Sequence, residues 1–317
     1  MTEYMTTKEL AAFLRIKQRK VYALAASGQM PCSRAMGKLL FPRAEIEAWV
    51  AAGGVGFAAP GAPAAAAPAA APAPAAAKDR SPVFLGSHDP LLEWALRQSR
   101  CGLATYFDGS IDGLDRFAAG EGIATGLHMF DPEGSRDTGD DAAWNIGWVR
   151  RRVGDAPCAL VEFAWRERGL ITRPDQINKI ASIADMRGRL IVPRQPEAGS
   201  RALLEHLLAE AGFGDLDYVM ADPARTETEA AETVANLLGE VAFGLRASAR
   251  QFRLDFQPIL KERFDLLVDR KAWFDPPFQR FLAFCRTDEF RFKAETLTGY
   301  DVSGLGTVHF NGGSQNP

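Results

Sequence analysis

Three side chains of the hydrolytic triad type stand next to one another where Ser87, His88 and Asp89 follow the apolar run "VFLG". Triad members normally meet in space from distant positions, so adjacency alone is weak support for catalysis. Asp89 before Pro90 is instead typical of a helix start, because a capping carboxylate precedes a proline whose missing N–H costs nothing there. We therefore predict a turn from a strand into a helix, with Ser87 and free backbone N–H groups on one wall of a ligand cleft.

Two further loops repeat this pattern of an apolar run, a small polar residue and a helix. Ser110 follows "TYFDG", and Ser200 follows "IVPRQPEAG". A helix start leaves backbone N–H groups free beside the hydroxyl, which is an anion-binding arrangement. In open α/β sheets such loops gather at the carboxyl ends of the strands, where ligands bind. Each serine can equally be a plain helix cap, and both interpretations remain open.

Charged and titratable neighbours extend this candidate site. Arg201, beside Ser200, would hold an oxyanion or a carboxylate through a bidentate contact, or would lie solvated on the surface. His88, next to Ser87, would donate to an oxyanion or would serve as a capping histidine.

Other kinds of chemistry have less support. The chain has no GxSxG, HExxH or P-loop motif. "RDTGDD" at 136–141 is better explained by solvated turn acids than by metal ligands, and "WVRRRVGD" at 148–155 by an exposed charged face than by a second nucleic-acid contact. Trp144 and Trp148 have the helical spacing that is typical of packing. We expect no enzyme activity, no metal and no cofactor.

The cysteines and the N-terminal residues bear on the compartment. Cys32, Cys101, Cys158 and Cys285 are far apart and lack CxxC spacing, which favours free thiols in a reducing cytosol. The first residues contain no apolar signal-peptide core, and the longest low-charge stretch, 51–77, is rich in Ala, Pro and Gly. We expect a soluble, cytoplasmic protein without membrane contact.

Composition divides the 317 residues into a head, a linker and a body. "AAPGAPAAAAPAAAPAPAAA" at 58–77 predicts a semi-extended linker, since it holds only Ala, Pro and one Gly. Residues 1–50 carry eight Lys/Arg against four Asp/Glu, whereas the remainder holds 29 basic and 36 acidic residues. A polyanion contact is therefore expected in the head alone. We predict a DNA-binding domain at 1–50, a linker at 51–80 and a ligand domain at 81–317.

In the body, short strands alternate with helices. The strand-like runs include "VFLG", "IATGLHMF", "PCALVEFAWRERGLI", "RLIVPR", "DYVMA" and "EVAFGL", and the helical patterns include "DPLLEWALRQ", "SRALLEHLLAEAG" and "TETEAAETVANLLG". This alternation predicts a parallel, doubly wound α/β arrangement. The body is long for one such sheet, so two lobes are plausible.

The head contains three helical patterns and a hairpin pattern. Thr6 or Thr7 can cap "KELAAFLR", and a second helix, "QRKVYALAASG", ends at Gly28. "CSRAMGKLLF" is typical of a hairpin that turns at Gly37, and "PRAEIEAWV" of a helix with Pro42 in its first turn. Such a winged helix-turn-helix would present basic side chains to DNA; a solvated basic face is the alternative. The predicted DNA contacts are Lys17, Gln18, Arg19, Lys20, Tyr22, Arg34 and Lys38.

The head resembles the excisionase/MerR-type winged helix-turn-helix. The resemblance rests on "MTTKELAAFLRI", "VYALAASGQMPCSR" and "LLFPRAEIEAWV". It implies binding to double-stranded DNA, usually as a dimer, because one short helix reads too few base pairs.

The body resembles the periplasmic-binding-protein-like domain found behind helix-turn-helix heads in bacterial regulators. The matching segments are "GSHDPLLE", "GSIDGLDRFAAGEGIATGLHMFDPEG", "VEFAWRERGLITRP", "GSRALLEHLL" and "TEAAETVANLLGEVAFGL". The resemblance implies a type 2 two-lobed α/β fold, with lobe 1 at about 81–160 and 268–317 and lobe 2 at about 161–267. Relatives are linked to molybdate or tungstate sensing, which makes a small tetrahedral oxyanion the expected ligand. The ligand-binding residues implied are Ser87, His88, Ser110, His128, Gly199, Ser200, Arg201 and Thr228.

One departure from the family pattern concerns the pair Thr228-Glu229. Relatives often have Thr-His at this point, and a carboxylate that faced the cleft would oppose an anion. Either Glu229 points away from the cleft or the ligand is a different molecule.

These patterns together predict a ligand-responsive DNA-binding transcription regulator that forms a homo-oligomer, either a dimer or a tetramer. Two other classes remain open. One is an enzyme or a molybdenum-cofactor-related binding protein that uses the same cleft. The other is an architectural, excisionase-type DNA-binding protein.

Overall fold

The computed structural model describes most of the head and nearly all of the body. The described residues are 4–14, 16–18, 21, 25, 30–35, 38–51, 80–132, 134, 143–176, 179–214 and 216–313. The chain forms two compact units, Met1–Ala75 and Ala76–Pro317. No helix in the described part of the chain is both long and apolar enough to cross a bilayer.

The head is built on a small antiparallel sheet. Its elements are β1 (Tyr4–Thr6), α1 (Thr7–Phe13), β2 (Ser33–Ala35), β3 (Lys38–Pro42) and α2 (Arg43–Ala51). The sheet has the order β1-β3-β2. Leu10, Val21, Met30, Phe41 and Ile46 form the buried core between the sheet and the helices.

The predicted start of the first helix is confirmed, and that of the last is wrong. Thr6 caps α1, and the carboxylate of Glu9 accepts from the Thr6 backbone N–H at 2.8 Å, which completes a capping box. Pro42 is the last residue of β3, where it lies opposite Tyr4, and the helix begins only at Arg43. Strand β1, which sequence patterns did not predict, occupies the edge of β3 and takes Pro42 into the sheet.

In the body, two 15-residue strands run through both lobes: β7 (Cys158–Thr172) and β11 (Asp255–Asp269). They pair antiparallel along their whole lengths, from Asp255 opposite Thr172 to Asp269 opposite Cys158. The sheet order is β5 (Ala104–Phe107), β4 (Val83–Gly86), β6 (Ala124–Leu127), β11, β7, β10 (Val241–Leu245), β8 (Leu190–Val192) and β9 (Val219–Met220), with β12 (Tyr300–Asp301) and β13 (Val308–Asn311) also on β7. The two long strands therefore form the connection between the lobes.

Lobe 1 lies at one end of these strands. Its strands are β4 (Val83–Gly86), β5 (Ala104–Phe107) and β6 (Ala124–Leu127), with the C-terminal β12 (Tyr300–Asp301) and β13 (Val308–Asn311) on the edge of β7. Its helices are α3 (Pro90–Gln98), α4 (Ser110–Ala118), α5 (Ile146–Val153), α9 (Arg270–Trp273), α10 (Pro276–Cys285) and α11 (Asp288–Leu297). Phe84, Phe163, Phe264 and Phe281 are wholly buried in its core.

Lobe 2 lies at the other end. It holds α6 (Gly199–Glu210), α7 (Glu227–Ala235) and α8 (Arg246–Gln251), together with β8 (Leu190–Val192), β9 (Val219–Met220) and β10 (Val241–Leu245). A 3₁₀ turn covers Ile183–Met186. Leu170, Ile191 and Val241 lie at the centre of its core.

The predicted α/β class and the two-lobed body are confirmed. The purely parallel sheet is wrong. Strands β4, β5 and β6 pair parallel, as do β8, β9 and β10, whereas β7 and β11 run antiparallel to each other and to their neighbours β10 and β6. Sequence patterns did not identify β11, in which charged residues such as Lys261, Glu262 and Arg263 interrupt the apolar run.

Candidate functional site

The loop after β4 places Ser87 at the inner edge of lobe 1. Gly86 adopts φ +101°, and a side chain there would overlap the backbone of Gly126 on β6. The Ser87 N–H donates to the Gly126 carbonyl at 2.9 Å, which holds the loop against β6. Asp89 caps α3 through the Leu92 N–H at 2.7 Å. The predicted strand-to-helix turn is therefore confirmed.

Ser110 and His128 complete this wall of lobe 1. The hydroxyl oxygens of Ser87 and Ser110 are 2.7 Å apart, and the backbone N–H of His128 donates to Ser110 Oγ at 3.2 Å. All three residues are almost fully buried. They lie on three adjacent strand ends, since Ser87 follows β4, Ser110 follows β5 and His128 follows β6. The structure thus brings together three residues that the sequence pattern had proposed separately.

Lobe 2 contributes the start of α6, which meets this wall closely. A Cβ on Gly199 would lie 2.6 Å from the His128 carbonyl oxygen and 3.3 Å from Ser110 Oγ, so only glycine fits here without displacement. The Ile111 N–H of α4 donates to the Glu197 carbonyl at 3.2 Å, and the Gln195 amide donates to the Asp108 carbonyl. These contacts between lobes describe a closed body.

The starts of α4 and α6 therefore converge from opposite lobes, and neither has a side-chain cap. Helix α7, by contrast, is capped by the Thr226 hydroxyl. Ser200 is 2% exposed, and its hydroxyl has no hydrogen-bond partner among the described residues. Two helix N-termini and a spare buried hydroxyl are a favourable environment for an anion. We call this junction of Ser87, Ser110, His128, Gly199 and Ser200 the lobe junction.

The two candidate histidines have different environments. His128 is 1% exposed, with Nδ1 3.3 Å from a carboxylate oxygen of Glu262. Burial lowers the pKa of His128 below its ordinary value, so the imidazole is neutral near pH 7. His88 Nε2 instead lies 3.1 Å from Glu93 on α3. Because Ser87 Oγ contacts Ser110 and not His88, the adjacent Ser-His-Asp residues do not assemble as a triad.

Among the described residues, neither Arg201 nor Thr228 makes a side-chain hydrogen bond or ion pair with the residues of the lobe junction. The Arg201 guanidinium pairs with Glu205 one turn further along α6, at 2.5 Å. Thr228 is half-buried at the second position of α7, since the capping residue is Thr226. Glu229 is exposed, and its carboxylate accepts from the backbone N–H of Arg225 at 2.6 Å. It thus turns back to its own helix start.

A buried ion-pair network lies behind the lobe junction, and sequence analysis missed it. Arg166 Nη1 donates to Asp89 at 2.8 Å and Arg166 Nη2 to Glu262, and Arg168 Nε lies 2.7 Å from Glu262. Glu227 accepts from Arg168 at 2.8 Å. The remaining members are Arg194, 2.9 Å from Glu227, and Tyr300, whose hydroxyl donates to Asp89 at 2.7 Å.

This network is balanced in charge. It holds three guanidiniums and three carboxylates, each nearly or wholly removed from water. Burial opposes ionisation, yet Arg168 and Arg194 hold the pKa of Glu227 at about 2. Arg166 and Arg168 likewise hold the pKa of Glu262 well below its usual range despite burial. The charges of the three arginines are therefore matched by carboxylates of the protein itself.

A signal for the network was present in "EFAWRERGL". Arg166 and Arg168 are two residues apart, and side chains at i and i+2 of a strand share one face. Two arginines on one face of an otherwise apolar central strand must be paired when buried. Their partners come from three separate segments, which spacing along the chain does not reveal.

The predicted DNA contacts are only partly covered by the described residues. Lys17 and Gln18 are exposed at the start of the second helical pattern. Arg34 and Lys38 lie on β2 and β3, where they pair with Leu39 and Ala35 respectively. Arg19, Lys20 and Tyr22 lie outside the described residues, as does Gly37.

Two lobes joined by long antiparallel strands, with a candidate ligand site at the lobe junction, define a binding-protein fold. The chain belongs to the PBP superfamily, whose domain model matches residues 93–286. A helix-turn-helix domain model matches residues 4–54. This pair of domains fits a ligand-responsive DNA-binding regulator.

Individual proteins resemble the chain more distantly. The uncharacterized protein YvgK of Bacillus subtilis (strain 168) is 23% identical over 316 residues, which cover 97% of this chain and 98% of YvgK. Among solved structures, the regulatory domain of MetR, a LysR family regulator from N. meningitidis, has a TM-score of 0.46 at 12% identity, covering 69% of this chain and 95% of that one. An ABC-type phosphate transport receptor from Vibrio cholerae has a TM-score of 0.42 at 11% identity, with 69% and 98% covered.

Proposed function

We propose that the protein is a transcription regulator whose body binds a small tetrahedral oxyanion, molybdate or tungstate, at the lobe junction and so changes the DNA affinity of its head. The observation that carries this proposal is the meeting of two helix starts without side-chain caps, from α4 and α6, beside the hydroxyls of Ser87, Ser110 and Ser200. Ligand-binding residues are therefore proposed at Ser87, Ser110, His128, Gly199 and Ser200.

The donors at this junction favour a fully deprotonated oxyanion. Backbone N–H groups and hydroxyls are neutral donors, and helix N-termini carry partial positive charge. The nearby arginines Arg166, Arg168 and Arg194 are already paired with buried carboxylates, so they offer no unmatched charge. A ligand that requires a free guanidinium would have to break these pairs, which is costly in a buried network. Molybdate and tungstate, which only accept hydrogen bonds at neutral pH, need no such rearrangement.

The closed body provides the means of response. The Ile111–Glu197 and Gln195–Asp108 hydrogen bonds join the lobes beside the site, so a ligand that contacts both helix starts would favour closure. A ligand shifts such an equilibrium only by its difference in affinity between the two states. The Ala/Pro composition of 58–77 predicts a tether that transmits little torque. Coupling through a dimer or tetramer of the bodies is therefore part of the proposal.

A thermal-unfolding panel tests the ligand class. Molybdate, tungstate, sulfate, phosphate and small carboxylates would each be added to the full-length protein. An ion present at 100 times its dissociation constant stabilises the folded state by about 2.7 kcal/mol. We expect molybdate and tungstate to raise Tm most, and a panel in which no oxyanion raises Tm would overturn the proposed ligand class.

The Ser200→Ala variant tests the location. The Ser200 hydroxyl has no partner among the described residues, so its removal should leave the stability of the unliganded protein unchanged. The dissociation constant for molybdate should rise about tenfold, equivalent to about 1.4 kcal/mol. Ser303→Ala, at an exposed serine in the C-terminal segment, is the matched control. Equal molybdate affinity in both variants would place the site elsewhere.

An enzyme that uses the same site is the second candidate. Buried serine hydroxyls are chemically able to act as nucleophiles, but a nucleophile needs a base within reach. Ser87 contacts Ser110, and His88 is turned to Glu93. The Ser87→Ala/Ser110→Ala variant separates the candidates, because an enzyme would lose turnover of its substrate, whereas a sensor would lose only ligand affinity.

A further inference from the structure

A second concave surface, separate from the lobe junction, is formed by α8 and the residues that follow it. It encloses about 520 Å³ and is lined by Arg246, Arg250 and Arg253, together with Phe256 and Thr298. None of the residues of the lobe junction lines it. We call this surface the α8 cavity.

The arginines of the α8 cavity differ in how they are paired. Arg246 donates to Glu167 on β7, and its guanidinium lies 4.8 Å from the centre of the Phe256 ring. Arg250 and Arg253 are exposed, and neither side chain has a hydrogen bond or ion pair with any residue in the described part of the chain. Two unmatched guanidiniums therefore face the same hollow.

The backbone fixes the position of both free arginines. Arg246 and Arg250 are one helical turn apart, so they share one face of α8. Arg253 has φ +55°, a left-handed conformation at the end of the helix where glycine is usual. The Leu254 N–H donates to the Ala249 carbonyl at 2.9 Å, which holds this turn in place. The backbone conformation therefore fixes the position of the Arg253 Cα beside the cavity.

The other walls indicate what kind of anion would fit. Asp255 contributes one carboxylate against the two guanidiniums of Arg250 and Arg253, since Arg246 is paired with Glu167, so the lining keeps a positive excess. Leu254 and Phe256 add apolar surface. The volume exceeds what a single phosphate ion fills. Arginine is well matched to phosphate oxygens through its fork of N–H donors, and an apolar wall suits an organic moiety.

We infer that the α8 cavity is a second ligand site, which takes a small organic molecule carrying a phosphate group. Arg250 and Arg253 bind the phosphate, and Leu254 and Phe256 pack against the organic part. Because α8 belongs to lobe 2 and Thr298 to the C-terminal segment of lobe 1, a molecule in this cavity contacts both lobes. It is thus placed to act on the same opening and closing of the body as the ligand at the lobe junction.

The test uses adenosine 5′-monophosphate and inorganic pyrophosphate as probes, with adenosine as the uncharged comparison. Binding to the full-length protein would be followed by calorimetry at low ionic strength, since exposed charges are screened by salt. We expect saturable binding of the two phosphate probes and none of adenosine. The Arg250→Ala/Arg253→Ala variant should bind them at least about tenfold more weakly.

The control is Arg100→Ala/Arg280→Ala, which removes two exposed arginines from α3 and α10 regions of lobe 1 and leaves the same net charge. It should bind the probes as the wild type does, and so should Ser200→Ala. The inference is overturned if neither phosphate probe binds, or if both arginine variants lose the same affinity. It is also overturned if the Arg250/Arg253 variant binds the probes normally and loses only DNA affinity, because DNA phosphates would then be the occupant.

Discussion

At the scale of single residues, the buried network explains how three charged arginines are accommodated in the protein interior, because each is paired with a carboxylate. Arg166 and Arg168 on β7 and Arg194 of lobe 2 are matched by Asp89, Glu262 and Glu227, from both lobes and from β11. Such a network is weak evidence for extra stability but strongly penalises the loss of one partner. It ties the capped start of α3 to the strands that connect the lobes.

Glu262→Gln tests this cost. Glu262 contacts Arg166, Arg168 and His128, so its neutral variant leaves guanidiniums buried without a matched charge. The free energy of unfolding should fall by about 3–5 kcal/mol, measured by urea denaturation. Glu232→Gln, at an exposed position of α7, should change it by less than about 0.5 kcal/mol. A loss at Glu262 no greater than at Glu232 would contradict the network.

His128→Gln tests the neutral imidazole. Burial depresses the pKa of His128 in the folded state, so below about pH 6.5 the unfolded chain binds a proton that the folded chain does not. Stability from this group is present above pH 6.5 and is lost as the pH falls, by at most about 1.4 kcal/mol per pH unit. The variant should flatten the decrease in Tm between pH 6.5 and 5. His206→Gln, on α6, should keep the wild-type slope, and an unchanged slope in His128→Gln would refute this assignment.

At the scale of elements, the site depends on helix starts that meet across the lobes. Gly199 begins α6 next to the His128 carbonyl. Gly109 precedes α4, and a Cβ on Gly109 would lie 2.5 Å from the Glu197 carbonyl oxygen. Neither glycine is needed for helix formation itself. Their small size permits the close approach of the two lobes, with Gly199 next to the His128 carbonyl and Ser110.

Gly199→Ala should therefore disfavour the closed body without unfolding α6. Alanine is a better helix former than glycine, but its Cβ would lie 2.6 Å from the His128 carbonyl oxygen. The radius of gyration from solution scattering should increase, and molybdate affinity should fall at least about tenfold. Gly214→Ala, whose Cβ would meet only Asp217 at 3.7 Å, is the control. A variant as compact as the control, with unchanged affinity, would contradict closure through this contact.

Sequence patterns predicted these elements unevenly. The Asp89-Pro90 start, the hairpin of the head and most lobe strands follow from local signals of capping and alternation. Strand β11 was missed because charged residues, among them Glu262 of the buried network, interrupt its apolar pattern. A shared cleft for Ser87, Ser110 and Ser200 is predicted from three loops of one type, and of this set the structure shows the contact between Ser87 and Ser110. Arg201 shows what sequence patterns do not predict. Its ion pair with Glu205 depends on the direction in which this face of α6 points.

At the scale of the whole molecule, the chain joins a helix-turn-helix head to a binding-protein-like body. Residues 58–77 consist of Ala, Pro and one Gly, a composition typical of a semi-extended linker. Under the proposed function, signal transfer depends on how bodies associate in a dimer or tetramer, because that association would set the separation of their heads. Half-site spacing on DNA is sensitive to such separation.

Replacement of residues 58–77 by a Gly/Ser sequence of equal length tests the role of the linker. Because the tether is expected to carry little torque, the ligand-dependent change in DNA affinity should persist within about twofold. Fluorescence anisotropy with labelled duplex measures it. Complete loss of the ligand effect, with ligand binding and oligomeric state unchanged, would show that the linker itself transmits the signal.

The central claim is that occupation of the lobe junction changes DNA binding. The most direct measurement is the affinity of the full-length protein for a duplex that it selects from random sequences, titrated with molybdate. We expect a change in DNA affinity of at least about fivefold, with a molybdate midpoint about tenfold higher in Ser200→Ala than in the wild type or Ser303→Ala. Saturable molybdate binding without any change in DNA affinity would contradict it, as would a response with the same midpoint in Ser200→Ala.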